Sequence, residues 1–101
     1  MQDEDGDTAL INIAPMNNKD VLQALLDAGA AVNLKNDKGE TALIVAVNLD
    51  GADNVRALIM AGADVYERDA EGKTALTHAR EHKNTQVVKL LRTFGAIEYL
   101  Q

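Results

Sequence analysis

Apolar and polar residues alternate along this chain in a pattern that occurs three times. Each copy opens with a polar stretch that leads into Thr-Ala-Leu, at Thr8, Thr41 and Thr74, and these threonines lie 33 residues apart. A helix-like apolar run follows, then a short polar break, then a second apolar run that ends before Gly-Ala. A fixed period of this length, uninterrupted by insertions, predicts a stack of identical supersecondary units.

Two helices are predicted in each unit, at about 8–16, 19–28, 41–49, 52–61, 74–82 and 85–94. The threonine that opens each unit is a natural N-cap. Gly29, Gly62 and Gly95 stand where a helix C-terminus favours glycine. Pro15 removes a backbone donor and restricts the residue before it, so the first helix is expected to be short or bent at its end. We interpret Pro15 as a helix terminator rather than as a functional kink.

The repeated frame is Asp/Asn-x-x-Gly-x-Thr-Ala-Leu, an apolar helical run and Leu-x-x-x-Gly-Ala. It resembles the ankyrin repeat over nearly the whole chain, in one domain from 3 to 101 with repeats at 3–35, 36–68 and 69–101. The resemblance implies an all-α fold. This fold is an ankyrin-repeat α-solenoid of three helix-turn-helix units with β-turn fingers.

The two ends of the predicted stack differ. Arg80 and Arg92 in the third repeat stand where the second repeat has Val47 and Ile59, which predicts exposed arginines, buried aliphatic residues and a polar end face. The first repeat has no comparable polar replacements. Either the chain is a fragment of a longer array or its open N-terminal edge is covered by a partner. We expect a monomer or weak self-association through that edge.

The amino-acid composition excludes several classes of function. The chain has 101 residues, of which 47% are apolar and only 3% aromatic, so a small core of aliphatic side chains is expected. The formal net charge of −6 argues against binding to nucleic acid or to an anionic membrane surface. The absence of cysteine excludes disulfide and thiolate chemistry. We expect a soluble, cytoplasmic protein without a cofactor, although the sequence specifies no compartment.

The resemblance implies that partners bind a concave surface, built from the finger tips and the free side of each unit's first helix. Positions four, seven and eight after each threonine lie opposite the core side at helical spacing. The candidate partner-binding residues are Asp7, Asn12, Met16, Asp37, Glu40, Val45, Asn48, Leu49, Glu71, His78, Glu81 and His82. Met16, Val45 and Leu49 form an apolar streak, which is either a contact site or packs partly under the neighbouring finger.

Charge on the predicted fingers is graded along the stack. The finger tips carry formal charges of −3, −1 and 0, from Glu4, Asp5 and Asp7, then Asp37, Lys38 and Glu40, then Glu71 and Lys73. An acidic rim beside an apolar streak suits a protein or peptide that presents Lys or Arg around an apolar anchor. Such charges act mainly on the encounter rate and on orientation.

One segment, His78-Ala-Arg-Glu81-His82, matches the H-x-x-E-H pattern of inverted zinc peptidases. A catalytic zinc site needs a third protein ligand, and the chain has no other histidine and no cysteine. We therefore predict no catalytic residue and no metal site, and at most weak binding of divalent ions by the two imidazoles. The principal hypothesis is a non-catalytic interaction module that binds a protein or peptide. The alternatives are a structural segment of a longer array with no partner of its own and, more remotely, a metal-dependent hydrolase.

Overall fold

The structure, a computed structural model, describes residues 2, 6–16, 18–48 and 52–95. This part of the chain forms six helices and no strand. The helices are α1 (Ala9–Ile13), α2 (Lys19–Asp27), α3 (Ala42–Asn48), α4 (Ala52–Met60), α5 (Ala75–Glu81) and α6 (Thr85–Thr93). Each odd-numbered helix packs against the even-numbered helix that follows it, so the predicted all-α stack of three helix pairs is confirmed.

The helix pairs stack into two layers. The inner layer consists of α1, α3 and α5, and the outer layer of α2, α4 and α6, with contacts between successive helices of each layer. Leucine, valine and alanine side chains fill the space between the layers, and fully buried examples include Leu10, Leu43, Leu58, Leu76 and Leu91. A core of this composition allows the close approach of helices that the low aromatic content predicts.

Polar residues of the repeat frame begin the helices. The Oγ1 atoms of Thr8 and Thr74 accept hydrogen bonds from backbone amides three residues later, at 3.1 and 3.3 Å, as N-cap side chains do. Thr41 Oγ1 makes the equivalent bond at 3.3 Å. Asn18 and Asn84 cap α2 and α6 in the same way. The predicted threonine caps are therefore confirmed, and asparagine caps the second helices of the first and third repeats.

Pro15 shortens the first helix as predicted. Helix α1 has five residues, whereas α3 and α5 have seven each. The side-chain amide of Asn54 then completes the backbone of the interrupted segment, because its Nδ2 donates to Ala14 O at 2.7 Å and to Met16 O at 2.8 Å. Asn54 is only 4% exposed. The end of α1 is thus held by a buried polar side chain of the next repeat.

Backbone contacts join successive fingers. The amide of Ala70 in the third finger donates to Lys38 O in the second at 3.0 Å. Gly39 has a φ of 74°, and a Cβ atom on it would lie 2.7 Å from the backbone nitrogen of Ala70. Only glycine satisfies both the positive φ and this close approach. The second and third fingers are therefore joined through their backbones.

The expected contrast between the second and third repeats is largely confirmed. Arg80 and Arg92 are exposed, and Val47 is buried. Ile59 was expected to be buried as well, and this is wrong because it is only half-buried at the edge of the core. Its first-repeat counterpart Leu26 is half-buried as well, so this position borders the core without being enclosed by it.

Candidate partner-binding surface

A groove opens between the first two fingers and the first two inner helices, with a volume of about 320 Å³. Five of the twelve residues selected from the sequence line it. They are Asp7, Asn12, Asp37, Glu40 and Val45, and Ile11, Pro15, Asn36 and Lys38 complete the lining. The α1 and α3 helices supply the apolar base, and the fingers supply the polar sides. Residues chosen by helical spacing and residues chosen at the finger tips therefore meet in one concave feature.

Asn36 organises the polar side of this groove. Its Oδ1 accepts hydrogen bonds from the backbone amides of Lys38 at 3.0 Å and Glu40 at 2.9 Å, which closes the finger turn. Its Nδ2 donates to Asp7 Oδ1 at 2.9 Å and to Glu40 Oε1 at 3.0 Å. One amide side chain thus fixes two carboxylates from neighbouring fingers, so the negative charge of the groove is held in place before any partner arrives.

The base of the groove is apolar and well supported. Ile11 is buried, while Val45 and Pro15 are half-buried and present only part of their surface to the opening. Val45 packs against the main core and also lines the groove, so its role in the apolar streak stays a prediction. Val45 is mostly a core residue with one accessible edge, and it contributes a small apolar surface beside the carboxylates.

Of the other two residues in the predicted apolar streak, Met16 is described by the structure and Leu49 is not. Met16 is 55% exposed and lies outside the lining of the groove, so it is accessible at the end of the first inner segment. Leu49 lies outside the described residues, and the continuous streak of three apolar side chains therefore remains a prediction.

His82 and Asn48 meet at a second hollow, between the ends of α3 and α5. Imidazole Nε2 of His82 lies 3.1 Å from Asn48 Oδ1, across the second and third repeats. Val47, Lys83 and Thr85 are among the residues that also line this hollow, whose volume is about 380 Å³. Two further candidate residues are therefore adjacent, but they bond to each other.

His78 is not on the free surface, and its selection as a partner-binding residue is corrected. It is 8% exposed, and its Nε2 lies 2.7 Å from Asp69 Oδ2. The carboxylate of Asp69 also accepts from the amides of Glu71 and Lys73, each at 2.9 Å. Helical spacing places His78 towards the fingers, but the imidazole is then covered by the finger turn to which it bonds.

Asp69 carries an altered proton affinity as a result. Burial opposes ionisation of its carboxylate, but the hydrogen bonds from the Lys73 amide, His78 and the Glu71 amide outweigh burial and lower the pKa of Asp69. The ionised carboxylate is thus the form that the folded chain favours. Asp69 and His78 form a structural connection between the third finger and α5.

The remaining candidate acids lie at the third finger and on α5. Glu71 is exposed at the finger tip and lies outside the groove. Glu81 Oε1 lies 3.2 Å from Lys73 Nζ, and this hydrogen bond with its attraction raises the pKa of Lys73. Charge in the third finger is thus partly neutralised by an exposed pair, whereas the first two fingers hold the carboxylates of the groove.

The histidine pattern does not form a metal centre in the described residues. His78 turns to Asp69 and His82 turns to Asn48, so the two imidazoles have separate partners. In the described ranges, no three His, Cys, Asp or Glu side chains are arranged to hold a metal ion. No helix in the same ranges is long and apolar enough to cross a membrane.

Helical spacing and charge patterning missed two functional positions, Asn36 and Asn54. Asn36 is the second-repeat counterpart of Asp69, and the exchange of an acid for an amide at a turn position is visible in the sequence. Asn54 stands where the first and third repeats have valine, which is a polar exception in an otherwise apolar column. Comparing the repeats column by column for such exceptions would have identified both.

The comparisons with known proteins agree with this architecture. A sequence profile described as ankyrin repeats (three copies) matches residues 1–69. The matched segment includes the first two helix pairs and all the residues that line the groove between them. No curated protein matches the chain.

Proposed function

The chain belongs to the ankyrin repeat family, and from this we propose that it is a non-catalytic module whose concave groove binds a basic segment of a partner protein. Ankyrin repeats are generally protein-protein interaction modules, and they are typically non-catalytic. The observation that carries the proposal is the groove itself, where three carboxylates and one ammonium group surround a small apolar base.

Charge and size define the kind of segment that would fit. Asp7, Asp37 and Glu40 outnumber Lys38, so the groove attracts a cationic side chain. Its volume of about 320 Å³ is near the lower end of the range for small-molecule sites, so it suits one or two side chains. The partner segment would place a Lys or Arg between the carboxylates and a small apolar side chain against Ile11 and Val45.

Preorganisation supports the same proposal. Asn36 already holds the carboxylates of Asp7 and Glu40, so binding does not have to order them. Interfaces lose affinity when flexible side chains must be fixed, at a cost of about 0.5–1.5 kcal/mol for each such side chain. A groove with two prearranged acids retains more of its electrostatic attraction as binding free energy.

The other accessible candidates would extend this site. Met16 provides an exposed apolar contact beyond the groove, and Asn48 with His82 provides a polar contact towards the third repeat. Glu71 would act as a peripheral charge that influences orientation more than affinity. A partner that follows the concave side from Asp7 to His82 would cross all three repeats.

A selection experiment tests the proposal even though the partner is unidentified. The immobilised chain is screened against a random peptide library, and the affinity of selected peptides is measured by fluorescence anisotropy. We expect enrichment of peptides with Lys or Arg next to a small apolar residue. Their affinity should fall as salt is added, because exposed charges are screened.

A charge reversal with a matched control locates the site. Asp37 is exposed in the groove, so Asp37→Lys should weaken binding of the selected peptides by about tenfold, or 1.4 kcal/mol. Asp53→Lys makes the same chemical change on the outer helix α4, away from the groove, and should leave affinity unchanged. Equal losses in the two variants would indicate attraction by net charge alone. Failure to enrich any peptide would favour the alternative of a structural segment without its own partner.

A further inference from the structure

A second groove runs along the outer layer, between the parallel helices α2 and α4. Its volume is about 580 Å³, and we call it the outer groove. The lining consists of Lys19, Gln23, Leu26 and Asp27 on α2, and of Asp53, Arg56, Ala57, Met60 and Ala61 on α4. None of these residues also lines the concave groove. The two grooves are therefore separate surfaces of the same helix stack.

Small residues of α4 lie along the outer groove. Ala57 and Ala61 stand where the third repeat has Leu90 and Phe94. Leu90 is 8% exposed and belongs to the core, whereas Ala57 is only half-buried. Residues four apart on a helix are neighbours on one side, so the two alanines leave adjacent side-chain volumes unfilled. The outer groove therefore has room for a large apolar side chain from another molecule.

The surface around this space is apolar and accessible. Leu26 and Ala57 pack against the core and form the base. Met60 lies on the rim and is 71% exposed. It stands where the other repeats have Asp27 and Thr93, so it is an apolar exception in a polar column. Methionine is unbranched and polarizable, and such a side chain adapts to apolar groups of different shape.

The charges of the outer groove favour an acidic ligand. Lys19 Nζ lies 3.7 Å from Asp53 Oδ2, and Asp27 Oδ1 accepts a hydrogen bond from Gln23 Nε2 at 2.8 Å. Arg56 is exposed and forms no hydrogen bond or ion pair with another residue that the structure describes. A carboxylate can therefore bind the guanidinium of Arg56, with two parallel hydrogen bonds, without displacing an existing contact. A cationic group would have to compete with Lys19 or Gln23 for the aspartates.

We propose that the outer groove binds a segment of a second partner protein, which presents an aliphatic side chain next to an Asp or Glu. Arg56 and Met60 are one turn apart on α4, with about 5–6 Å between Cβ atoms at this spacing. The carboxylate of the segment lies on Arg56, and its aliphatic side chain lies against Leu26 and Ala57 under Met60. The concave groove, with its three carboxylates, selects the opposite charge. The chain can thus hold two different segments, one on the inner layer and one on the outer layer.

A peptide selection with a filled groove as the counter-selection tests this proposal. Peptides from a random library are selected on the immobilised wild type, and those that also bind Ala57→Leu are discarded. Ala57→Leu introduces the residue of the third repeat and fills the outer groove, while the concave groove stays as it is. The variant should keep the helical circular dichroism spectrum of the wild type. We expect the remaining peptides to carry Asp or Glu next to Leu, Met or Phe.

Charge reversal with a matched control locates the carboxylate. Arg56→Glu should weaken binding of the selected peptides by about five- to tenfold, and Arg56→Lys should weaken it less. Arg92→Glu makes the same reversal at an exposed residue of α6 outside the outer groove, and it should leave affinity unchanged. Met60→Thr, which introduces the residue of the third repeat, should weaken binding through the lost apolar contact. If Ala57→Leu does not fold, Met60→Thr replaces it in the counter-selection.

The outer groove is tested independently of the concave groove. Asp37→Lys should leave the affinity of these peptides unchanged, and this result holds whether or not the concave groove binds a basic segment. A library that retains no peptide after the counter-selection would overturn the proposal. Basic peptides that are weakened by Asp27→Lys and not by Arg56→Glu would overturn the acidic chemistry. Equal losses in Arg56→Glu and Arg92→Glu would show attraction by net charge instead of a contact with Arg56.

Discussion

The buried amide of Asn54 gives the sharpest test of how the first repeat is held. Asn54→Val removes both hydrogen bonds to the carbonyls at the end of α1 and introduces the residue found at the matching positions, Val21 and Val87. If valine were preferred at this position simply because the other two repeats have it, the change would stabilise the chain. If the two hydrogen bonds of the amide matter more, the change would destabilise the chain. The sign of the change in the free energy of unfolding therefore separates the two arguments.

The magnitude follows from the surroundings of the two carbonyls. Ala14 is fully buried, so its carbonyl would lose its donor without access to water, at a cost of about 1–3 kcal/mol. Met16 is exposed, so its carbonyl can bond to water and only the net value of one bond is lost, about 0.5–1.5 kcal/mol. Burial of the valine side chain offsets about 1.5–2 kcal/mol of this. We expect a net loss of about 1–2 kcal/mol in the free energy of unfolding.

Guanidinium denaturation followed by circular dichroism measures this loss, and hydrogen exchange shows where it acts. Exchange should accelerate chiefly in α1, since its last carbonyls lose their donor. The reciprocal change Val87→Asn is the control, because the helix end at the matching place belongs to α3, which has Asn48 where the first repeat has Pro15 and gives a new buried amide no interrupted helix to complete. It should also destabilise the chain, without effect on α1. A variant Asn54→Val as stable as the wild type, or more stable, would refute the reasoning.

Three further measurements test other parts of the structure. Leu58→Ala should lower the free energy of unfolding by about 2–5 kcal/mol, since the side chain is fully buried. Arg92→Ala should stay within about 0.5 kcal/mol of the wild type. Similar losses in the two variants would contradict the exposed end face. The lowered pKa of Asp69 means that its carboxylate stabilises the fold above the ordinary value of 3.8 and loses this contribution as pH falls through the lowered folded value. The loss in the free energy of unfolding caused by Asp69→Asn should therefore be largest near neutral pH and become smaller in acid. A loss that does not depend on pH would show that the charge of Asp69 is unimportant for stability. Thermal midpoints with and without chelator should coincide, since His78 and His82 have separate partners, and a drop on chelation would revive a metal site.

The period of the sequence was sufficient to predict the helices. Each was predicted within three residues of its observed bounds, because the same capping residue and the same glycine stop recur in every copy. The early end of α1 could also be predicted, since the effect of Pro15 is local to the backbone. Local rules that act over a few residues are therefore readable directly from this chain.

The side-chain contacts between elements were less predictable. Helical spacing alone placed His78 on the open side, but its burial depends on Asp69, nine residues earlier in the finger. The role of Asn54 depends on carbonyls about forty residues away. Spacing within one helix carries no information on what a finger or a neighbouring repeat places above it. Five of the twelve residues chosen from the sequence nevertheless line one groove, because their positions repeat at the period that builds the fingers.

The backbone contact between fingers limits where the chain can change length. The amide of Ala70 must reach Lys38 O while Gly39 fits against the same turn, and Lys35 Nζ reaches Arg68 O one period later along the chain. An inserted or deleted residue in one finger would displace all of these contacts together. Insertions and deletions are therefore more easily accepted between α5 and α6, since Asn54 holds the turn between α1 and α2 in place. A combinatorial library built on this chain would vary the length of the α5–α6 turn and keep every finger as it is.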